Sequence, residues 1–269
     1  MTTSPTTFTA VPFTLDLDPA AIDDLRDRLR RTRWPQQLPG STDWAKGVPV
    51  EAARRWAGEL AEFDWLGLQD ELNALAQFTT EIDGETIHFV HQRLSRDDAT
   101  PLILLHGWPG TVDSIARFMT DGNGYNVIQS TRPQTIGYGL EDSPVAQLTW
   151  IVEKVHEWTH DPAVLENPHY RRRHLANVLL YWLTRTATSA ADTIYAGYGE
   201  LFADPTAFAN SGVPTAVIAY AEDPSIRRFA EQGNTIVRWT DVADGGHFAA
   251  LEQPDSLIAD LREFTTGLG

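Results

Sequence analysis

The chain has 269 residues, enough for one large domain or two small ones, and its 42% hydrophobic and 22% charged content excludes a disordered or fibrous protein. A formal net charge of −16, from 37 acidic and 21 basic residues, argues against nucleic acid and anionic membrane surfaces as partners. With no Cys, disulfides, thiolate nucleophiles and Cys-ligated zinc are excluded, and a cytoplasmic location is expected.

The opening MTTSPTTFTAVPFTL lacks the basic segment and continuous apolar core of a signal peptide. No apolar run is long enough to span a bilayer. Asp18-Pro19 predicts a helix start, an N-cap followed by Pro at the first helical position. Ile22, Leu25 and Leu29 follow at helical spacing, and Trp34-Pro35 and Pro39-Gly40 close the segment. Further helices are expected from Val50 to Glu62 and near Leu66–Leu75. Two strand-like runs around Asp83-Gly84, Phe78–Ile82 and Glu85–Arg93, predict a hairpin. Pro101–Leu105 reads as an apolar strand leading into HGWPG.

Ser143–Trp158 predicts an amphipathic helix, and a second runs from about His174 to Thr186. The Arg171–Arg173 run before it reads as a solvated surface face. Val213–Tyr220 and Thr235–Thr240 are β-rich. Asp255–Phe264 predicts a closing helix with Leu257, Ile258, Leu261 and Phe264 on one side. Alternation of strands and helices argues an α/β architecture with a mostly parallel sheet, yet no convincing strand lies between Gly110 and Gly212.

GGHF at Gly245–Phe248 follows a strand and precedes a helix, which places His247 at the carboxyl edge of the sheet where reactants bind in open α/β folds. A His after Gly-Gly is also an ordinary structural residue. Glu222-Asp223, just past the preceding strand, could supply a carboxylate to the imidazole, fixing its tautomer and raising its basicity. Tyr125 and Tyr195 are phenols able to donate to an oxygen that gains negative charge, or simply to pack. HGWPG offers backbone N–H groups to an oxyanion.

A nucleophile elbow is missing: there is no G-x-S-x-G, and no Asp or Ser in any Gly-x-nucleophile-x-Gly setting. Asp113 and Asp121 lie near the turn but read as surface carboxylates. The eight His residues are read as offering no metal-ligand set, so neither a metal nor a cofactor is expected.

Taken together, these segments resemble the epoxide hydrolase family of the microsomal and juvenile-hormone type, in its soluble bacterial form. DLRDRLRRTRWP and FDWLGLQDELNALAQFTTEIDGETIHFVH are similar to its N-terminal domain, LLHGWPG to its oxyanion turn, and GYNVIQSTRPQTIGYGLEDSPVAQLTWIVEKVHEW and NVLLYWLTRTATSAADTIY to the lid and the segment after it. VPTAVIAY and DGGHFAALEQPD are similar to the last strands with the catalytic His. The resemblance implies an α/β-hydrolase fold with a helical lid: an N-terminal domain over 1–100, then a truncated core over 101–269 with the lid at about 115–200.

The family's reaction, as the resemblance implies it, hydrates a small hydrophobic epoxide to a vicinal diol in two steps, a detoxification chemistry. An Asp attacks the ring carbon to give an ester while two lid tyrosines hold the oxygen, and a His backed by Asp or Glu then activates water. On this chain Tyr125 matches the first tyrosine, Tyr195 the second with a one-residue slip, His247 the base, and Asp223 its partner, with Glu222 as the alternative. Trp108 matches the oxyanion amide. The family's G-G-D-W-G elbow has no counterpart, as though an internal deletion on the order of a hundred residues had removed the central strands. Two readings stay open, a weakened one-step hydrolase and an inactive relative that binds. A sheet without its centre predicts lower stability, self-association as a homo-oligomer, or a rearranged sheet.

Overall fold

A computed structural model describes residues 8–39, 44–93, 102–103, 124–203, 209–221, 223 and 225–267. The N-terminal part holds β1 (Val11–Phe13), α1 (Pro19–Arg30), α2 (Val50–Ala61), α3 (Trp65–Asn73), β2 (Gln77–Ile82) and β3 (Glu85–Val90). Asp18 caps α1 by accepting from Ala20 N at 2.9 Å, and Ile22, Leu25 and Leu29 are its buried face, as their spacing predicts. The hairpin turns on Asp83 and Gly84, both at positive φ (53° and 90°), the twist that joins two strands tightly. The three strands pair antiparallel in the order β1-β2-β3. Of the expected strand at Pro101–Leu105, Leu102 and Ile103 are described; they lie outside regular structure and are exposed. HGWPG lies outside the described residues.

The middle of the chain is helical: α4 (Gly124–Thr131), α5 (Pro133–Asp142), α6 (Pro144–Trp158), a 3-10 turn (Pro162–Glu166), α7 (Pro168–Thr184) and α8 (Ala187–Ala203). Ser143 caps α6 through Ala146 N at 3.2 Å. The second predicted helix begins six residues earlier than expected, because Asn167 caps it through His169 N at 2.9 Å and Pro168 takes the first turn. The Arg run is therefore inside α7 and tied down. Arg171 reaches Glu59 at 2.6 Å, while Arg172 and Arg173 both grip Glu71.

These helices pack on the N-terminal ones. Leu25, Trp56, Leu60, Leu148, Ile151, Val152, Val155, Val178 and Leu179 form a continuous core across α1, α2, α6 and α7. A run of four buried residues at 148, 151, 152 and 155 makes α6 its axis.

The C-terminal part is a βαβ unit: β4 (Pro214–Ala219), α9 (Arg227–Gly233) and β5 (Thr235–Asp241), with β4 and β5 parallel. Two helices come after it, α10 (Ala249–Glu252) and α11 (Pro254–Gly267). The expected apolar face of α11 is partly covered: Leu257, Leu261 and Phe264 are half-buried and Ile258 is exposed, while Asp260 is the buried residue. That carboxylate binds Arg238 and Thr240 of β5, so a polar tie holds α11 where apolar packing was expected. Among the described residues the sheets have three and two strands, and the mostly parallel sheet inferred from alternation is reduced to the β4–β5 pair. No helix among the described residues is long and apolar enough to cross a membrane.

Leu148 has no exposed surface. Leu148→Ala is expected to destabilise the protein by about 2–5 kcal/mol, measured by urea denaturation, whereas the same change at exposed Leu66 is expected to leave the midpoint almost unmoved.

Candidate active site

Two of the four expected catalytic side chains meet on one indole. Trp158 ends α6, and its ring takes Tyr125 edge-on at 5.3 Å and His247 edge-on at 5.5 Å. Tyr125 is buried at the first turn of α4. The Lys154 ammonium lies 5.2 Å over the Tyr125 ring and 5.8 Å over Trp158. Lys154 is itself buried between Glu153 at 3.2 Å and Glu157 at 3.0 Å. Burial, and then the neighbouring Tyr198, push the Tyr125 phenol up to about 12, so it remains a protonated donor at neutral pH.

His247 sits in the turn before α10. Its backbone N–H donates to Trp158 O at 2.9 Å, and its ring meets Phe248 edge-on at 4.9 Å. Burial lowers the imidazole from its ordinary value, so the neutral, basic form extends to lower pH. Gly246 is required by close approach: a Cβ there would lie 2.5 Å from Trp158 O and 2.7 Å from His160 N. The Gly-Gly that flagged the loop in the sequence thus serves its contact with the end of α6.

The remaining residues are placed differently. Tyr195 is exposed on α8. Three residues on, Tyr198 accepts a hydrogen bond from Asn126 Nδ2 at 3.0 Å, beside Tyr125. Tyr198 is the α8 phenol turned toward α4, and sequence reading missed it; its signal is the helical spacing from Tyr195. Asp223 lies past β4 as expected, but its carboxylate accepts from Ser225 N at 2.7 Å in a local turn and makes no hydrogen bond to His247. Glu222 and Trp108 lie outside the described residues, as do Asp113 and Asp121.

The metal reading also passed over one spacing. His156-Glu157-Trp158-Thr159-His160 is H-E-x-x-H. The two imidazoles do not share a helical face, because α6 ends at Trp158, and His156 stacks on Trp44 at 3.8 Å. Among the described residues no group of three or more His, Asp or Glu is placed to hold a metal ion. A groove of about 880 Å³ between α1, α2 and α6, lined by Arg28, Trp34 and Trp150, contains none of the expected catalytic residues.

Residues 10–115 match the family model described as "Epoxide hydrolase N terminus". A protein of Stigmatella aurantiaca (strain DW4/3-1) named "Putative epoxide hydrolase" is 25% identical over 376 residues, which takes in 94% of this chain and 84% of that protein. Epoxide hydrolase 1 of Sus scrofa is 33% identical over 153 residues, 53% of this chain and 34% of that protein. The solved structure of an enantioselective mutant of the Aspergillus niger epoxide hydrolase superposes with a TM-score of 0.83 at 25% identity, over 96% of each chain. The chain thus carries a match to the family's N-terminal domain and is similar to epoxide hydrolases over nearly its whole length. Juvenile hormone epoxide hydrolase from the silkworm Bombyx mori shares the fold, with a TM-score of 0.78 at 20% identity over 97% of this chain and 95% of that one. The fold is thus that of the α/β-hydrolase epoxide hydrolases, drawn here mostly in helices with small sheets. The chain spans about a third of the length of the mammalian epoxide hydrolases it matches.

Behind the His247 loop, His174 of α7 is buried with its ring edge-on to Phe248 at 5.2 Å. Burial pushes it down to about 4, against an unfolded value of about 6.5. Its stability contribution is complete above the unfolded value and erodes as pH falls toward 4, since the unfolded chain takes up a proton that the fold refuses. The gap corresponds to about 3 kcal/mol. Urea midpoints at pH 7, 5.5 and 4.5 are expected to fall steadily, and His174→Leu to make the fall shallower. His247 and His156, lowered by burial in the same direction, leave a residual slope.

Proposed function

We propose that this chain is a member of the epoxide hydrolase family that binds a small hydrophobic epoxide and hydrates it weakly in one step, without the covalent ester. The observation that carries this reading is the shared contact of Tyr125 and His247 with Trp158. It brings a protonated phenol and a neutral imidazole to one aromatic floor. In the step proposed, His247 takes a proton from water, and the water oxygen forms a bond to a ring carbon. The carbon–oxygen bond of the ring breaks, and the oxygen released takes a proton through the hydrogen bond from Tyr125. The imidazolium returns its proton to solvent and the phenol is reprotonated. Tyr195 or Tyr198 of α8 supplies the second phenol, and Asp223 or Glu222 the carboxylate for His247 after local rearrangement.

The one-step route is proposed because the carboxylate nucleophile has no place to stand. No two glycines of the chain are four residues apart, so the elbow pattern is absent from the sequence. The alignment with the Stigmatella aurantiaca protein runs over 376 residues, more than the 269 this chain possesses, and it takes in nearly all of this chain. An internal loss between the N-terminal domain (1–100) and the lid (about 115–200) accounts for both observations. The same absence favours a second reading, an inactive relative that binds epoxides in the lid groove.

Turnover of styrene oxide separates the two. General acid–base catalysis is worth about 10²–10⁴-fold, so His247→Ala and Tyr125→Phe are each expected to slow hydration by about that order. Equal rates in the wild type and His247→Ala leave only the binding reading. The rate is expected to hold constant from below pH 6.5 up to about pH 10. It falls at the acid side as His247 protonates, and at the far alkaline side as Tyr125 ionises near 12. Mass spectrometry after mixing with the epoxide is expected to find no ester on any Asp or Glu.

A further inference from the structure

Glu252, at the end of α10, is not among the residues matched above to the family's reaction, yet its carboxylate gathers three backbone N–H groups from two segments distant from one another. Oε2 accepts from His160 N at 2.9 Å and from Gly246 N at 3.0 Å, and Oε1 accepts from Phe248 N at 3.1 Å. His160 lies just beyond the end of α6, whereas Gly246 and Phe248 flank His247. The side chain is half-buried, and its desolvation works against ionisation while the three donors favour it.

We propose that Glu252 is the positioning residue for His247, a clamp that fixes the Gly245–Phe248 turn against the end of α6. This rests on the reading of His247 as the base.

The geometry gives the clamp a direction and a reason for its chemistry. The His247 N–H donates to Trp158 O at 2.9 Å, so the turn gives one hydrogen bond to the end of α6, and Glu252 ties the next N–H of that end, at His160, to both neighbours of His247. A helix end leaves its last carbonyls without intrahelical partners, and His247 satisfies one of them. With residues 246 and 248 both pinned, the Cα–Cβ direction of residue 247 is set, and its ring is directed between Trp158 and Phe248. An ionised carboxylate accepts at both oxygens with no O–H of its own to set against the backbone donors, and the three N–H groups favour that form although burial raises its pKa from the ordinary value. An amide in its place has one accepting oxygen and one NH₂, and the NH₂ would face a backbone donor.

Three forms of the full chain test the clamp: wild type, Glu252→Gln and Glu252→Ala. Amide hydrogen exchange resolved by residue is expected to rise at least tenfold at His160, Gly246 and Phe248 in Glu252→Ala. In Glu252→Gln it is expected to rise only on the side that meets the NH₂ group, while Ile151–Val155 of α6 stay as protected as in the wild type. Modification of His247 by diethyl pyrocarbonate, read by peptide mass, is expected to quicken about tenfold in Glu252→Ala. Where the wild type hydrates styrene oxide, kcat is expected to fall by tenfold or more with KM within twofold. Unchanged exchange and modification at these residues would overturn the clamp, as would an increase spread uniformly through α6, which marks a merely structural role. Local loosening in Glu252→Ala, together with a wild type that shows no turnover, upholds the clamp and refutes the hydrolytic reading. Wild-type turnover with no change in either variant does the reverse.

Discussion

One helix carries both the core and the candidate chemistry. On α6, Leu148, Ile151, Val152 and Val155 are almost wholly removed from water and bind α1, α2 and α7 around them. One residue before Val155, Lys154 turns to the other side and sets its charge beneath Tyr125. The helix stops at Trp158, where Thr159 Oγ1 returns a hydrogen bond to Val155 O at 2.6 Å and His247 N–H binds the Trp158 carbonyl. A site built on an element whose opposite face is packed in the core inherits the rigidity of that core. Displacing α6 would therefore cost core packing and active-site geometry together.

The C-terminal βαβ unit is held by a different kind of force. Parallel strands are ordinarily covered on both faces, yet most positions of β4 and β5 are only half-buried and Val237 of β5 is 58% exposed, while Val213 just before β4, Ile226, Phe229 and Ile258 also face solvent. What ties the unit together is polar: Asp260 to Arg238 and Thr240, with Glu263 on the same guanidinium at 2.6 Å. Arg238 draws Asp260 toward ionisation although burial opposes it. The helical layer is thus organised by apolar burial, and the βαβ unit by a charged network on a largely uncovered surface.

Legibility in the sequence followed local signals. Asp18-Pro19, Ser143-Pro144 and Asp83-Gly84 each encode backbone geometry within a few residues, and the corresponding elements begin within one residue of expectation, though β3 ends three residues short of Arg93. Gly245-Gly246 flagged the His247 loop for a reason now visible, the close approach of Gly246 to α6. Helices α4, α5 and α8 carried weaker signals, since Gly124, Gly137, Gly139, Gly197 and Gly199 lower helix propensity and their stability comes from packing on one another. Glu252 and the carboxylate of Asp223 were beyond reach for a common reason. Each is defined by a partner, whether 92 residues away along the chain or two residues away in a turn, and spacing along one chain does not say which partner wins. The H-E-x-x-H at His156 shows the converse. A motif legible in letters loses its meaning once the helix stops between its two histidines.

The proposed acid–base pair can stand without an elbow because of where its two members are anchored. In an α/β-hydrolase the elbow depends on the central strands, so losing them removes the nucleophile together with the ground it stands on. Tyr125 and His247 are anchored elsewhere: Tyr125 by α4 against Trp158 and Lys154, and His247 by a backbone hydrogen bond to Trp158 and by Glu252. None of these ties runs through a sheet. The same burial raises the phenol and lowers the imidazole, which keeps the donor protonated and the base neutral at pH 7 while making each intrinsically weaker, in line with a slow reaction. On the proposed reading the two protonation states do not depend on an elbow, and the one-step route needs a donor and a base and no covalent partner.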